Sequence, residues 1–173
     1  MKNLGKSKTR LHISDCATQT TGIDLQLHLV GGKTPDGWQK FLEVQNKLGN
    51  PDWIKHTDTI PHDKLNTVFQ QADLFVFASS VETFSIIFVE AMASGLPIAY
   101  SNRRPMTDML GTDGVVLEPE DESCIAAALL KLINDASLRQ KCAQGAYNRA
   151  LAYRWERTAR ETYQFLKEIH ERK

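Results

Sequence analysis

Glu82-Thr-Phe-Ser-Ile-Ile-Phe-Val-Glu90-Ala-Met-Ala-Ser-Gly95-Leu-Pro97 is the most informative stretch of this chain. Ahead of it, Asp73-Leu-Phe-Val-Phe-Ala78 is a nearly continuous apolar run, the pattern of a strand buried on both faces. Behind it, Ile98-Ala-Tyr100 is short, apolar and bounded by Pro97, and reads as the next strand. The segment between carries Ala91, Met92 and Ala93 and reads as a helix, which Gly95 and then Pro97 stop in the usual order. Strand, helix and strand between Asp73 and Tyr100 make a βαβ crossover, and such a unit demands a parallel sheet.

Two carboxylates mark this crossover. Glu82 falls in the loop leaving the first strand, before a helix expected to begin near Phe84 or Ser85. Glu90 lies inside that helix, four residues after Ile86 and on the same face. The free amides of Thr83, Phe84, Ser85 and Ile86 at the helix start form a ready anion site. An anion held there has Glu90 about one turn, roughly 5–6 Å, further along. That suits a diphosphate at the helix tip, a ribose diol beside Glu90, and Glu82 near whatever hangs from the far phosphate. A generic crossover with a solvated Glu82 and a surface Glu90 has the same spacing, and spacing alone favours it.

The whole stretch goes further. Glu82 and Glu90 with seven residues between, followed by Ala91-Met-Ala-Ser-Gly95-Leu-Pro97, resemble the Glu-x7-Glu signature of retaining GT-B glycosyltransferases. More closely, the chain resembles their group 1 family, which uses nucleotide-sugar donors. The resemblance implies that Glu90 holds the donor ribose, that Glu82 contacts the transferred sugar, and that the amides of Thr83, Phe84, Ser85 and Ile86 bind the diphosphate. One departure is Ser85, where the family usually has Gly; its side chain would either crowd the phosphate or add a hydroxyl donor. The resemblance also places the nucleobase near Ile60, although Asp58 stands where the family usually has Gly. It further implies transfer without a metal ion or cofactor.

Composition narrows the class. At 173 residues the chain suffices for one substantial domain and not for two full ones. Lys plus Arg and Asp plus Glu both number 21, so no global field calls for nucleic acid or an anionic membrane. Cys16, Cys124 and Cys142 are odd in number and form no CxxC, which argues for a reducing, cytoplasmic compartment. The five histidines show no metal-ligand spacing, no apolar run reaches membrane-spanning length, and the polar N-terminus has no signal-peptide core. For the full-length enzyme, a peripheral membrane association stays open.

In chain order, residues 1–22 read as a polar leader or a truncation remnant. They lack the Gly-Arg and Lys-Gly pattern that opens the family's C-terminal lobe, so the resemblance is expected from about Ile23 onward. Ile23 to Val30 alternates like a strand and ends at Gly31-Gly32, equally a weak phosphate-loop signal or a plain turn. Thr34-Pro35 suits an N-cap and first helical residue, with Trp38, Phe41, Gln45 and Leu48 on one stripe up to Gly49-Asn50-Pro51. Trp53 to His56 reads as a short strand, and the helix after Pro61 should bury Leu65, Val68, Phe69 and Ala72. His62 reads as a cap-region residue rather than a catalyst.

Beyond Pro97, Arg103 and Arg104 lie in a loop leaving the ligand side of the sheet; they read as solvated, with a phosphate or substrate role as the alternative. Gly114 to Leu117 is a last strand. Glu120-Asp-Glu122 opens a helix, where negative charge complements the dipole, rather than forming a catalytic pair. Ile125, Leu129, Leu132 and Ile133 mark its core face, and Leu138, Cys142 and Ala146 that of the next helix. From Arg154 a final helix carries Trp155, Ala159, Thr162, Leu166 and Ile169 on one stripe; in the family such helices pass back toward the other lobe.

The expected architecture is an open parallel sheet with helices on both faces, Rossmann-like, one lobe of a GT-B fold. Residues 23–153 form the nucleotide-sugar-binding domain and 154–173 the C-terminal helix. The expected function is donor binding for retaining transfer of a sugar to an acceptor saccharide, lipid or small molecule, together with an N-terminal lobe. The rivals are a non-catalytic nucleotide or nucleotide-sugar module, or half of a split GT-B enzyme such as an epimerase.

Overall fold

A computed structural model describes residues 25–172. The elements run β1 (Leu27–Val30), α1 (Pro35–Lys47), β2 (Ile54–Thr57), α2 (His62–Gln70), β3 (Phe75–Phe77), α3 (Ile86–Ala93) and β4 (Ile98–Ser101). They continue with α4 (Met106–Leu110), β5 (Val115–Leu117), α5 (Glu122–Asn134), α6 (Ala136–Ala150) and α7 (Trp155–Glu171). Every ladder is parallel. β1 pairs with β2, Leu27 opposite Ile54, while β4 lies between β3 and β5, with Ile98 opposite Phe75 and Ala99 opposite Val115. The ladders form two sheets, β1-β2 and β3-β4-β5, and the architecture is the expected open parallel α/β class.

The continuous apolar run of β3 and β4 has its reason in two cores. Phe75 and Phe77, with Ile98 and Tyr100, face one cluster, completed by Phe69, Phe88, Met92, Met106 and Leu110. Val76 and Ala99, between them in sequence, face the other, which Leu117, Ile125, Leu129 and Leu132 fill from β5 and α5. Alternate residues therefore enter opposite layers, leaving β4 buried and β3 half-buried. α6 spans both, giving Ala146 and Ala150 to the first cluster and Cys142 to the second.

α3 is anchored from one side. Phe88, Ala91 and Met92, at helical spacing, are fully buried, and the Phe88 ring lies 5.3 Å from Phe77 and 6.0 Å from Tyr100. Burying a side chain of this size contributes about 1.5–3 kcal/mol. The helix ends as its sequence demands: Gly95 takes φ +69°, its amide bonds Met92 O at 3.0 Å, and the Leu96 amide reaches back to Ala91 O at 3.4 Å. This closes a Schellman turn before Pro97.

Other helix starts follow their caps. Thr34 accepts from the Gly37 amide at 3.3 Å with Pro35 first in α1, and Asp135 accepts from the Leu138 amide at 2.8 Å. Asp121 accepts from the Ser123 and Cys124 amides at 2.9 and 3.1 Å, so the acidic run caps α5. Bonds from the Ser123 hydroxyl and these amides hold the Asp121 carboxyl below its ordinary range.

Some boundaries differ from the sequence reading. β1 begins at Leu27 because its partner is short: the Leu27 amide bonds Trp53 O at 2.8 Å, and the ladder then runs with Ile54–Thr57. β2 is accordingly one residue later than expected. Ala72 lies past the end of α2 and is exposed, its amide closing a turn on Phe69 O at 3.1 Å. α6 keeps Leu138 half-buried, and its third buried position is Ala150. The polar stretch 1–22 and Cys16 lie outside the described residues.

Candidate functional site

Ile60 and Glu82 to Ser85 lie on loops after the C-terminal ends of β2 and β3, the side on which open α/β sheets hold ligands, and Ile86 and Glu90 follow in α3. α3 begins at Ile86, one or two residues later than expected, with Ser85 as its cap residue. The amides of Thr83 and Phe84 therefore belong to the approach loop, while Ile86, Ile87 and Phe88 supply the unpaired first-turn amides. No side chain caps them. Ser85 is only 5% exposed and takes φ −108°, ψ 103°, an extended geometry that any residue adopts. Its hydroxyl is withdrawn from solvent, so the glycine usual at this position is not required by the backbone. Thr83, Phe84 and Ile86 are exposed around the helix tip, and the Phe84 ring lies 6.2 Å from Tyr153.

The two glutamates are held from different sides. Glu82, half-buried, accepts a hydrogen bond from the Ser79 hydroxyl at 3.1 Å; that hydroxyl also lies 3.2 Å from Val81 O. Glu90 accepts from His62 Nε2 at 2.5 Å, across from α3 to the first turn of α2. His62 and Glu90 line a pocket of about 230 Å³ together with Leu65, Asn66, Phe69, Ala93 and Ser94, and Glu82 is not part of it. Ile60 is half-buried, two residues before His62. Sequence reasoning placed Glu82, Glu90 and the helix start together, and missed Ser79 and the bond from His62. No periodic pattern marks either.

The loops after β1 and β2 meet each other. Lys33 pairs with Asp58 at 3.2 Å and lies 4.2 Å from the Trp38 ring centre, and the His56 ring bonds Gly31 O at 3.0 Å. After β4, Arg103 makes a forked contact with Glu118, at 2.6 and 3.2 Å, and bonds Asn102 at 2.6 Å. The Asn102 amide and then the Arg103 guanidinium hold the Glu118 carboxyl below its ordinary range. Arg103 thus ties two loops together, whereas Arg104 is mostly exposed with Asp108 at 3.4 Å. Among the described residues no group of three or more His, Cys, Asp or Glu could hold a metal ion, and no helix is long and apolar enough to cross a membrane.

The sequence model described as "Glycosyl transferases group 1" matches residues 6–149. The match takes in much of the stretch before Ile23 that the sequence reading had set apart. The O-antigen chain mannosyltransferase B of Escherichia coli is 29% identical over 128 residues, 73% of this chain and 34% of the relative. The chain spans about a third of the length of the curated relatives it matches. Among solved structures, Anabaena HepE in complex with UDP superposes with a TM-score of 0.82 at 19% identity, covering 97% of this chain and 47% of that one. The C-terminal domain of a group 1 family glycosyl transferase (LpcC) from Francisella tularensis gives 0.73 at 25% identity, covering 84% of this chain and 78% of that domain. With its family match running through both glutamates and the helix between them, this chain belongs to the group 1 glycosyl transferases.

Proposed function

We propose that this chain is the C-terminal, donor-binding lobe of a retaining, metal-independent GT-B glycosyltransferase, which works with an N-terminal lobe that carries the acceptor. The observation that carries the reading is the start of α3: uncapped amides at its tip, Glu82 on the approach loop, and Glu90 one turn on. The likeness to an isolated C-terminal domain supports the lobe assignment, and the UDP-bound relative supports a nucleoside diphosphate sugar as donor.

In this reading the amides from Thr83 to Ile86 and the first turn of α3 take the diphosphate, Glu90 the ribose, and the backbone near Ile60 the base. Amides fixed before the reaction stabilise the charge that grows on the leaving diphosphate. Glu82, steadied by Ser79, positions the sugar rather than attacking it. The departing phosphate helps deprotonate the acceptor hydroxyl on the same face, which retains configuration. α7, none of whose residues is buried, extends toward the other lobe.

The test compares two ligands and two variants by calorimetry. Glu90→Ala should weaken a nucleoside diphosphate and its nucleotide sugar alike; Glu82→Ala should weaken only the nucleotide sugar. Hydrogen bonds to a charged acceptor are worth about 1.5–3 kcal/mol, so each loss is on the order of tenfold to a hundredfold. Equal weakening of both ligands by Glu82→Ala would misplace the sugar, and no effect from either variant would refute the site. This chain alone should show no sugar transfer to any acceptor.

A further inference from the structure

We propose that His62 is a positioning residue for Glu90, holding its carboxylate so that both oxygens face the ribose diol. The inference rests on the donor-lobe reading and goes beyond it by giving the ribose carboxylate a fixed orientation and a named source for it. The bond joins the first residue of α2 to the middle of α3, at 2.5 Å. An ionised carboxylate only accepts, so Nε2 carries the hydrogen.

A glutamate side chain has several rotatable bonds, and ordering them costs free energy when a ligand arrives. Glu90 has little help from its own helix: Ile86, one turn before it, is apolar and exposed, and Ser94, one turn after, spends its hydroxyl on Glu90 O at 2.8 Å. Among the described residues, His62 supplies the hydrogen bond to its carboxylate. That bond occupies one lone pair of Oε1. The carboxylate can accept about four bonds, so one hydroxyl can still reach each oxygen. Ordering is then complete before the nucleotide binds.

His62 is well placed to do this selectively. Pro61 precedes it as the cap residue of α2, with φ −56°, and fixes the approach of the chain. Ile60, the proposed neighbour of the base, is on the same short loop, so one segment addresses both base and ribose. The His62 side chain is 80% exposed and that of Glu90 26%. An ion pair so open to water adds little to folding stability. Its consequence falls on where the carboxylate points.

The experiment titrates the full chain with UDP, GDP and ADP and with the 2′-deoxy form of each, reading the ratio of deoxy to ribo dissociation constants. For the base that binds, the parent ratio should be about tenfold. His62→Ala should weaken the ribonucleotide about three- to tenfold and bring the ratio down to about one to three, toward the value near one expected for Glu90→Ala. His62→Gln, whose amide reaches the place of Nε2, should restore most of it, and the shorter His62→Asn should not. A purely structural role would leave the ratio unmoved. If His62→Ala keeps the parent ratio while Glu90→Ala abolishes it, the positioning role is refuted and the donor site stands. If neither changes it, Glu90 does not hold the ribose and the inference falls with that assignment. Binding of none of the diphosphates by the parent chain overturns the donor reading itself.

Discussion

Replacing Gly145 with alanine tests a tight helix-to-loop contact in the lobe. A Cβ at Gly145, in the body of α6, would lie 2.6–2.7 Å from Cβ, Cγ and Oδ1 of Asp113, where ordinary contact begins near 3.4 Å. Asp113 cannot turn away, because its own Cβ is in the collision. Its segment is also tied down: its amide bonds Leu110 O at 3.1 Å, its carboxylate pairs with Arg149, and Tyr100 donates to Gly111 O. Overpacking of this kind costs about 1–3 kcal/mol, and loss of the half-buried ion pair up to about 1 more. Against this, alanine in a helix interior is favoured over glycine by about 1 kcal/mol. The net is a destabilisation of up to about 3 kcal/mol, or up to several degrees in melting temperature for a domain of this size. Urea and thermal unfolding followed by circular dichroism measure it. The decisive comparison repeats the change in an Asp113→Gly background, where no side chain remains to collide. There Gly145→Ala should stabilise by about 1 kcal/mol, a reversal of sign. A Gly145→Ala change with the same effect in both backgrounds would refute the packing argument.

Three further outcomes follow from the same structure. Burial raises the Tyr100 pKa above its ordinary value near 10, so the folded state keeps the phenol proton to higher pH than the unfolded chain. Its contribution is full below about pH 10 and lost as pH rises through the folded pKa; Tyr100→Phe should flatten that alkaline decline in unfolding titrations while costing about 1–3 kcal/mol at neutral pH through the orphaned Gly111 carbonyl. Leu166→Glu and Ile169→Glu should each leave the melting temperature of this chain within about 0.5 kcal/mol equivalent, since α7 buries no residue here; a larger drop would mean α7 docks on its own lobe. A nucleoside diphosphate should bind in excess chelator, and binding that vanishes there and returns with magnesium or manganese would place an ion in the site.

The parts of this protein legible in its sequence are those that a few neighbouring residues settle among themselves. Thr34-Pro35 starts a helix because a hydroxyl and a missing amide act within one turn. Gly95 ends another because it takes a positive φ where most residues would be strained. The apolar run from Leu74 to Ala78 announces a strand covered on both faces because side-chain direction alternates along any strand. The crossover built from these pieces brings Glu82, the helix start and Glu90 together as a local consequence of its connectivity.

Tertiary structure alone decided which side chains meet across elements. His62 and Glu90, Arg103 and Glu118, and Arg149 and Asp113 are far apart in the chain; they pair because helices and loops from different crossovers come to rest side by side. A histidine after Pro61 carries no mark of the carboxylate it will face. The stripe of α7 shows the same limit from the other direction. Its 3.6-residue period specifies an apolar face, and only the folded chain reveals that this lobe leaves that face uncovered. Local geometry is encoded by short-range sterics and hydrogen bonding, whereas the choice of partner depends on the packing of the whole chain.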